Sequence, residues 1–321
     1  LKRKIALTPF SSPWWLPGGH LQTIYASLRP PPRVPLERER WDTPDGDFID
    51  VDFAGDKRAS RRLVLFHGLE GGSDSHYARS LGAHAAAKGL LVAIPHWRGC
   101  SGEPNRKARA YHSGDSEEVD WIVRKLADSG KELFAVGVSL GGNALLKWLG
   151  ERREAAAALV RRAASVSAPI DVAAAGRTLD RGINRLIYTK MFLSTLKPKS
   201  LKKLEAFPGL FDAARVGAAR TFREFDDMVT APLHGFRGVD HYWSSASSGP
   251  YLEGIRVPTL LLNARNDPFL PEQDLLAATR KTSRSTVLEF PDTGGHVGFL
   301  SGPFPGRHDW LPQRLLDFLL S

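Results

Sequence analysis

Leu133-Phe134-Ala135-Val136-Gly137-Val138-Ser139-Leu140-Gly141-Gly142-Asn143 reads as a strand, a tight turn and the start of a helix in one short stretch. Leu133–Val136 is a compact apolar run, and a helical pattern opens at Asn143. Between them, Gly137-Val138-Ser139-Leu140-Gly141 holds one serine between two glycines. The spacing has a steric reason. A sharp strand-to-helix turn strains the serine backbone, and glycines on either side let strand and helix approach closely. The hydroxyl then projects from the sheet, with the free N–H groups of a helix N-terminus behind it. The five-residue pattern recurs by chance in many chains, so its placement between strand and helix is what makes Ser139 a candidate nucleophile.

Outward from this turn the chain repeats one rhythm. From Leu36 to Ala54, charged and apolar residues alternate around Pro44-Asp45-Gly46, which predicts a β-hairpin. Short runs rich in Val, Leu and Ile follow at Leu63–Phe66, Leu90–Ile94, Leu133–Val136, Ala164–Val166, Thr259–Leu262 and Thr286–Phe290. Such runs suit strands buried on both faces of a parallel sheet. Helical patterns lie between most of them, including Tyr77–Ala87, Ser116–Ala127 and Asn143–Gly150. The alternation predicts an α/β fold, a mostly parallel central sheet flanked by helices. One domain is expected over residues 1–321, with an N-terminal arm at about 1–35. The rhythm breaks between about 170 and 254, too long for a simple crossover. A helical lid inserted over the C-terminal edge of the sheet is expected there, because ligands of open α/β sheets bind at that edge.

A serine hydroxyl needs a base to take its proton, and the base needs a third group to orient it. Downstream of Ser139 the histidines are His234, His241, His296 and His308. His296 follows the last predicted strand in the glycine-rich loop Thr293-Gly294-Gly295-His296-Val297-Gly298, which could swing an imidazole over the turn. His234 and His241 fall in the insertion, and His308 lies near the terminal helix. For the acid, Leu260-Leu261-Leu262 leads into Asn263-Ala264-Arg265-Asn266-Asp267-Pro268, so Asp267 sits past a strand's C-terminal end, on the side of Ser139. Asp292 and Asp309 are the rivals beside the histidine loop, and Asp267 is preferred on strand order. An oxyanion hole would combine the amide of Leu140 with one from His67-Gly68-Leu69-Glu70-Gly71-Gly72, where Leu69 is the candidate donor. His67 is expected to shape that loop rather than carry protons.

Composition narrows the function classes. The 321 residues are 42% hydrophobic and 25% charged, which suits a folded globular chain. The formal charge of +9 raises nucleic-acid binding. However, the basic residues are scattered and no nucleic-acid motif is present, so no nucleic-acid partner is expected. The single Cys100 excludes an internal disulfide framework and fits a reducing compartment, with a cytoplasmic location as the default. The start, Leu1-Lys2-Arg3-Lys4, has no sustained apolar run after it, which argues against a signal peptide in these residues. No stretch is long and apolar enough to span a bilayer, though peripheral contact is open. The sequence does not specify an oligomeric state. Arg98-Gly99-Cys100-Ser101-Gly102 is expected to be a turn under the site's rim, Asp115 a helix cap, and Trp14-Trp15 a hydrophobic plug for the N-terminal arm.

Six stretches carry a broader resemblance: Trp15-Leu16-Pro17-Gly18-Gly19-His20-Leu21-Gln22-Thr23, His67-Gly68-Leu69-Glu70-Gly71, Arg98-Gly99-Cys100-Ser101-Gly102-Glu103-Pro104-Asn105, Tyr111-His112-Ser113-Gly114-Asp115, Asp227 through Phe236, and Gly294-Gly295-His296-Val297-Gly298-Phe299. In these the chain resembles the YheT-like branch of the α/β-hydrolases. The resemblance implies an α/β-hydrolase fold, a catalytic triad of Ser139, Asp267 and His296, and hydrolysis of short- to medium-chain acyl esters. It implies no metal and no cofactor, and a small-molecule or lipid ester as substrate. Transfer of the acyl group to an alcohol is the nearest alternative, and a non-catalytic binding protein on the same scaffold is the other.

Overall fold

The apolar runs become strands of a single sheet. In the computed structural model, which describes residues 10–127 and 130–321, they are β1 (Glu37–Asp42), β2 (Phe48–Ala54), β3 (Arg61–Phe66), β4 (Leu90–Pro95), β5 (Glu132–Val138), β6 (Arg162–Val166), β7 (Thr259–Leu262) and β8 (Thr286–Glu289). The basic residues 2–4 lie outside the described residues. The strand order is β1-β2-β4-β3-β5-β6-β7-β8. β1 and β2 form the expected hairpin, and β2 also pairs antiparallel with β4. Every later pairing is parallel.

Strand alternation divides the core. Along β5, Leu133 and Ala135 join the cluster that contains Ile122, Leu146 and Trp148. Phe134, Val136 and Val138 join the opposite cluster with Leu81, Leu311 and Leu315. Successive side chains of a strand point to opposite faces, so one short run feeds both layers. The helices supplying those layers include α1 (Gly19–Leu28), α2 (His76–Ala87), α3 (Ser116–Ala127) and α4 (Leu140–Leu159). Asp115 caps α3, its carboxylate accepting the Glu118 N–H at 3.4 Å. The turn that follows β4 is pinned by Arg98. Its buried guanidinium meets both oxygens of Glu118 at 3.0 and 2.9 Å, and Asp45 and Asp47 at 2.7 and 3.1 Å. Bidentate pairing of this kind compensates a charge removed from water.

Between β6 and β7 the chain leaves the sheet and folds as helices, starting with α5 (Val172–Leu179) and continuing through a helical run from Gly182 to Ala206. Two small apolar clusters hold this insertion together, one around Val172, Phe222, Tyr242 and Trp243, the other around Leu193, Val216, Phe225 and Val229.

The tryptophan pair departs from expectation. Trp15 packs edge-on against Tyr25 and Phe304, and its indole N–H donates to the Gly302 carbonyl at 3.2 Å. Trp14 is 91% exposed and plugs nothing. Trp14 and Trp15 are the two central residues of a turn closed by the Leu16 N–H on the Pro13 carbonyl at 3.0 Å, and only the Trp15 ring is turned toward neighbours.

Candidate active site

Ser139 lies one residue beyond β5, with φ 54° and ψ −120°. A non-glycine residue at positive φ stores backbone strain, and such positions cluster at functional sites. The turn is held by the Ser139 N–H, which donates to the Val166 carbonyl on β6 at 2.8 Å. Gly141 is required here: a Cβ would sit 2.3 Å from the Phe66 carbonyl oxygen. Helix and sheet therefore touch backbone to backbone, which aims the serine side chain outward.

The loops after β7 and β8 deliver two groups to that side chain. His296 Nε2 lies 2.9 Å from Ser139 Oγ. His296 Nδ1 lies 2.9 and 3.2 Å from the two carboxylate oxygens of Asp267. A carboxylate only accepts, so Nδ1 carries the proton and Nε2 presents its lone pair to the serine hydroxyl. Asp267 is itself fixed, accepting the Phe269 N–H at 2.8 Å. The Phe269 ring stacks on the imidazole at 3.9 Å between centroids.

Among the described residues, no other candidate is hydrogen-bonded to Ser139. His241 Nδ1 accepts the Arg237 N–H, and His308 Nε2–H donates to the Arg29 carbonyl. Asp292 is exposed beside Arg265, and Asp309 lies near Arg307 and His84. His234 lines the same cavity as Ser139, with its Nδ1–H bonded to the Thr230 carbonyl. His67 is fully buried, between the Gly68 carbonyl and the Trp97 N–H, and burial pushes it down to about 3, so it stays neutral.

The loop after β3 runs against the turn. A Cβ on Gly68 would come within 3.1 Å of Ser139 Cβ. Its neighbouring amides are taken: Gly68 N–H donates to Tyr77 Oη at 2.9 Å and Glu70 N–H to Tyr111 Oη at 3.0 Å. Between them, the Leu69 N–H has no partner among the described residues. Leu69 and Leu140 both line the cavity beside Ser139 and His296.

Sequence reasoning missed what positions the histidine. Helix α1 packs beneath the His296 loop. Thr23 Oγ accepts the His296 N–H at 2.8 Å, and Gln22 Oε1 accepts the Gly294 N–H at 2.8 Å and the Asn266 amide at 3.0 Å. Asn266 in turn accepts the Gly295 N–H at 2.9 Å. The approach needs Gly19, where a Cβ would lie 2.0 Å from the Asn266 carbonyl oxygen. The one signal was the stretch Gly18 to Thr23 itself, whose partners lie far along the chain.

Above the serine opens a cavity of about 620 Å³, floored by the sheet loops and roofed by the insertion. Leu179, Phe192, Phe222, Phe225, Val229 and Phe269 make most of its wall apolar. Among the described residues no cluster of three or more His, Cys, Asp or Glu could hold a metal ion. Among them, too, no helix is long and apolar enough to cross a membrane.

Comparison with known proteins agrees with this architecture. Residues 61–211 match the family model described as the alpha/beta hydrolase fold. The YheT protein of Escherichia coli, named as an esterase, is 37% identical over 94% of this chain and 90% of its own length. The chain belongs to the YheT-like family of α/β-hydrolases. This family of ester hydrolases extends to eukaryotes: the phospholipase ABHD3 of Mus musculus is 28% identical to this YheT-like chain over 95% of it and 76% of the relative. Among solved structures, the Pyrococcus furiosus esterase Pf2001 superposes with a TM-score of 0.58 at 16% identity, covering 91% of this chain and 97% of that one. That likeness concerns the fold alone.

Proposed function

We propose that this chain hydrolyses carboxylic esters through an acyl-enzyme on Ser139, with His296 as the base and Asp267 as its orienting acid. The observation that carries the reading is the continuous hydrogen-bonded line from Asp267 through His296 to Ser139, with both links at 2.9 Å. Ser139 Oγ attacks the ester carbonyl as its proton passes to His296 Nε2. The carbonyl oxygen gains the negative charge, and the N–H groups of Leu69 and Leu140 receive it. Collapse of the intermediate breaks the bond to the alcohol oxygen, which takes the proton from Nε2. Water then gives its proton to Nε2 and attacks the acyl carbon; collapse breaks the bond to Ser139 Oγ, which takes that proton back from Nε2 as the carboxylic acid leaves. Asp267 holds the imidazole in the required tautomer and stabilises its charged form throughout.

The apolar cavity supports a hydrocarbon acyl group as the recognised part, and its volume falls within the range of pockets that enclose small ligands. Short- to medium-chain acyl esters are the proposed substrates. A panel of p-nitrophenyl esters of graded chain length, run beside Ser139→Ala, tests both claims. Turnover should peak at short to medium acyl groups and disappear in the variant; a variant that retained turnover would remove Ser139 from the mechanism.

A further inference from the structure

The helical run over the cavity has two unlike faces. Inward, Phe192, Leu196, Lys199 and Lys203 line the cavity. Outward, Ile183, Leu186 and Met191 are 55%, 67% and 52% exposed, among the largest exposed apolar side chains of the molecule. Arg181, Arg185 and Lys190 are exposed beside them. None of these three makes an ion pair among the described residues. The nearest carboxylate in sequence, Asp180, is hydrogen-bonded to the backbone N–H groups of Phe222 and Arg223, and Arg185 acts on it only through its charge, without an ion pair.

A local helical irregularity organises this outer face. Arg185–Thr189 is a π-helical turn, in which the Lys190 N–H reaches back to the Arg185 carbonyl five residues earlier. In an α-helix, residues five apart point to different sides; a π turn, with its i to i+5 hydrogen bond, reduces the angle between them. Arg185 and Lys190 are five apart, and so are Leu186 and Met191. The turn therefore brings Arg185 nearer to Lys190, and Leu186 nearer to Met191, than a regular α-helix would. Single π turns inside helices are often found at functional sites.

We infer that this outer face, carried by Ile183, Leu186 and Met191 with Arg181, Arg185 and Lys190, docks the enzyme on an anionic lipid bilayer. Exposed apolar side chains flanked by unpaired cations are what an interfacial helix needs: the former enter the acyl boundary and the latter meet anionic headgroups. The position suits the chemistry. Tyr188, inside the π turn, bonds His20 at 3.0 Å and packs on Phe269 at 4.7 Å between centroids. Phe269 stacks on His296. The docking face is thus one helix thickness from the proposed catalytic base, and an ester drawn from the bilayer has a short path to Ser139. The inference rests on the ester-hydrolase reading for its purpose, while the docking itself is measured without turnover.

The test is co-sedimentation of the full chain with vesicles of phosphatidylcholine alone and of phosphatidylcholine mixed with phosphatidylglycerol. Binding to the mixed vesicles should exceed binding to the pure ones by about tenfold or more at low salt and weaken as salt rises. Leu186→Ser with Met191→Ser should reduce binding to both vesicles. Arg185→Gln with Lys190→Gln should bring the mixed vesicles down to the level of the pure ones. Neither pair lines the cavity, so both variants should hydrolyse a water-soluble p-nitrophenyl ester as the parent does, which also shows that they are folded. Absence of binding to the mixed vesicles, or binding untouched by both variants, overturns the docking face. Failure of the parent to hydrolyse the soluble ester would instead sink the ester-hydrolase reading.

Discussion

Thr23 Oγ accepts the backbone N–H of His296 at 2.8 Å across 273 residues of chain. The bond ties the first described helix to the loop that carries the proposed base, so the register of α1 sets where the imidazole stands. Gln22 adds a second tie through the Gly294 N–H.

Thr23→Val removes the acceptor and leaves the His296 N–H unpaired in a partly buried place. Small displacements of a reacting group are costly, and kcat should fall by roughly ten- to a hundredfold with KM little changed. Thr23→Ser restores the acceptor and should recover most of the rate. Steady-state kinetics on one soluble ester compare the three; a drop in KM-dependent binding alone would assign Thr23 to the pocket instead.

Asp267→Asn keeps the shape of the carboxylate but removes its charge and allows the wrong imidazole tautomer. A loss of about 10⁴ in kcat is expected, with folding intact by circular dichroism. Asp292→Asn, at an exposed side chain beside Arg265, should leave kcat within about twofold, since surface substitutions of this kind rarely propagate.

Asp226 makes the stability of the insertion depend on pH. Its carboxyl is half-buried in the cavity wall, accepting from Trp243 Nε1 at 2.8 Å and Thr230 Oγ at 2.7 Å, and the loss of water around it raises it from 3.8 to about 6. A group raised on folding favours the folded state while protonated, and that contribution is lost as pH rises through about 6. The loss amounts to about 3 kcal/mol by pH 8. Asp226→Asn stays neutral, so its melting temperature should gain on the parent between pH 4 and pH 8. Thermal melts across that range check the sign; a variant that lost ground as pH rose would reverse the assignment.

The elbow's glycine can be tested for its steric role alone. Gly141→Ala places a methyl 2.3 Å from the Phe66 carbonyl oxygen, a backbone atom that cannot step aside. Urea unfolding should show a loss of several kcal/mol, on the order of the largest single-site effects. A stability change below about 0.5 kcal/mol would mean that the helix and sheet can separate there without cost.

What the sequence revealed divides by the range of the interaction. The inner strands were legible because their apolar runs reflect burial on both faces, as along β5 and β7; the expectation fails at β8, an edge strand whose Val287 and Leu288 are exposed. The turn at Ser139 was legible because its constraint is local, a serine between two glycines. The α1 bracket was hidden because Thr23 and Gln22 act through backbone amides near His296, and an amide leaves no trace in residue type. The π turn at Arg185–Thr189 was hidden for a related reason: its side-chain pattern only makes sense once the five-residue spacing is known. Trp14 and Trp15 looked alike, and only the tertiary neighbours Tyr25 and Phe304 separate them.

Ser139 as the nucleophile is tested most directly by peptide-mapped mass spectrometry of the folded chain after treatment with a fluorophosphonate. The expected result is one adduct, on the peptide carrying Ser139, absent from Ser139→Ala and formed far more slowly in His296→Ala. An adduct on a different residue, or an unlabelled Ser139 in protein that still turns over esters, would contradict it.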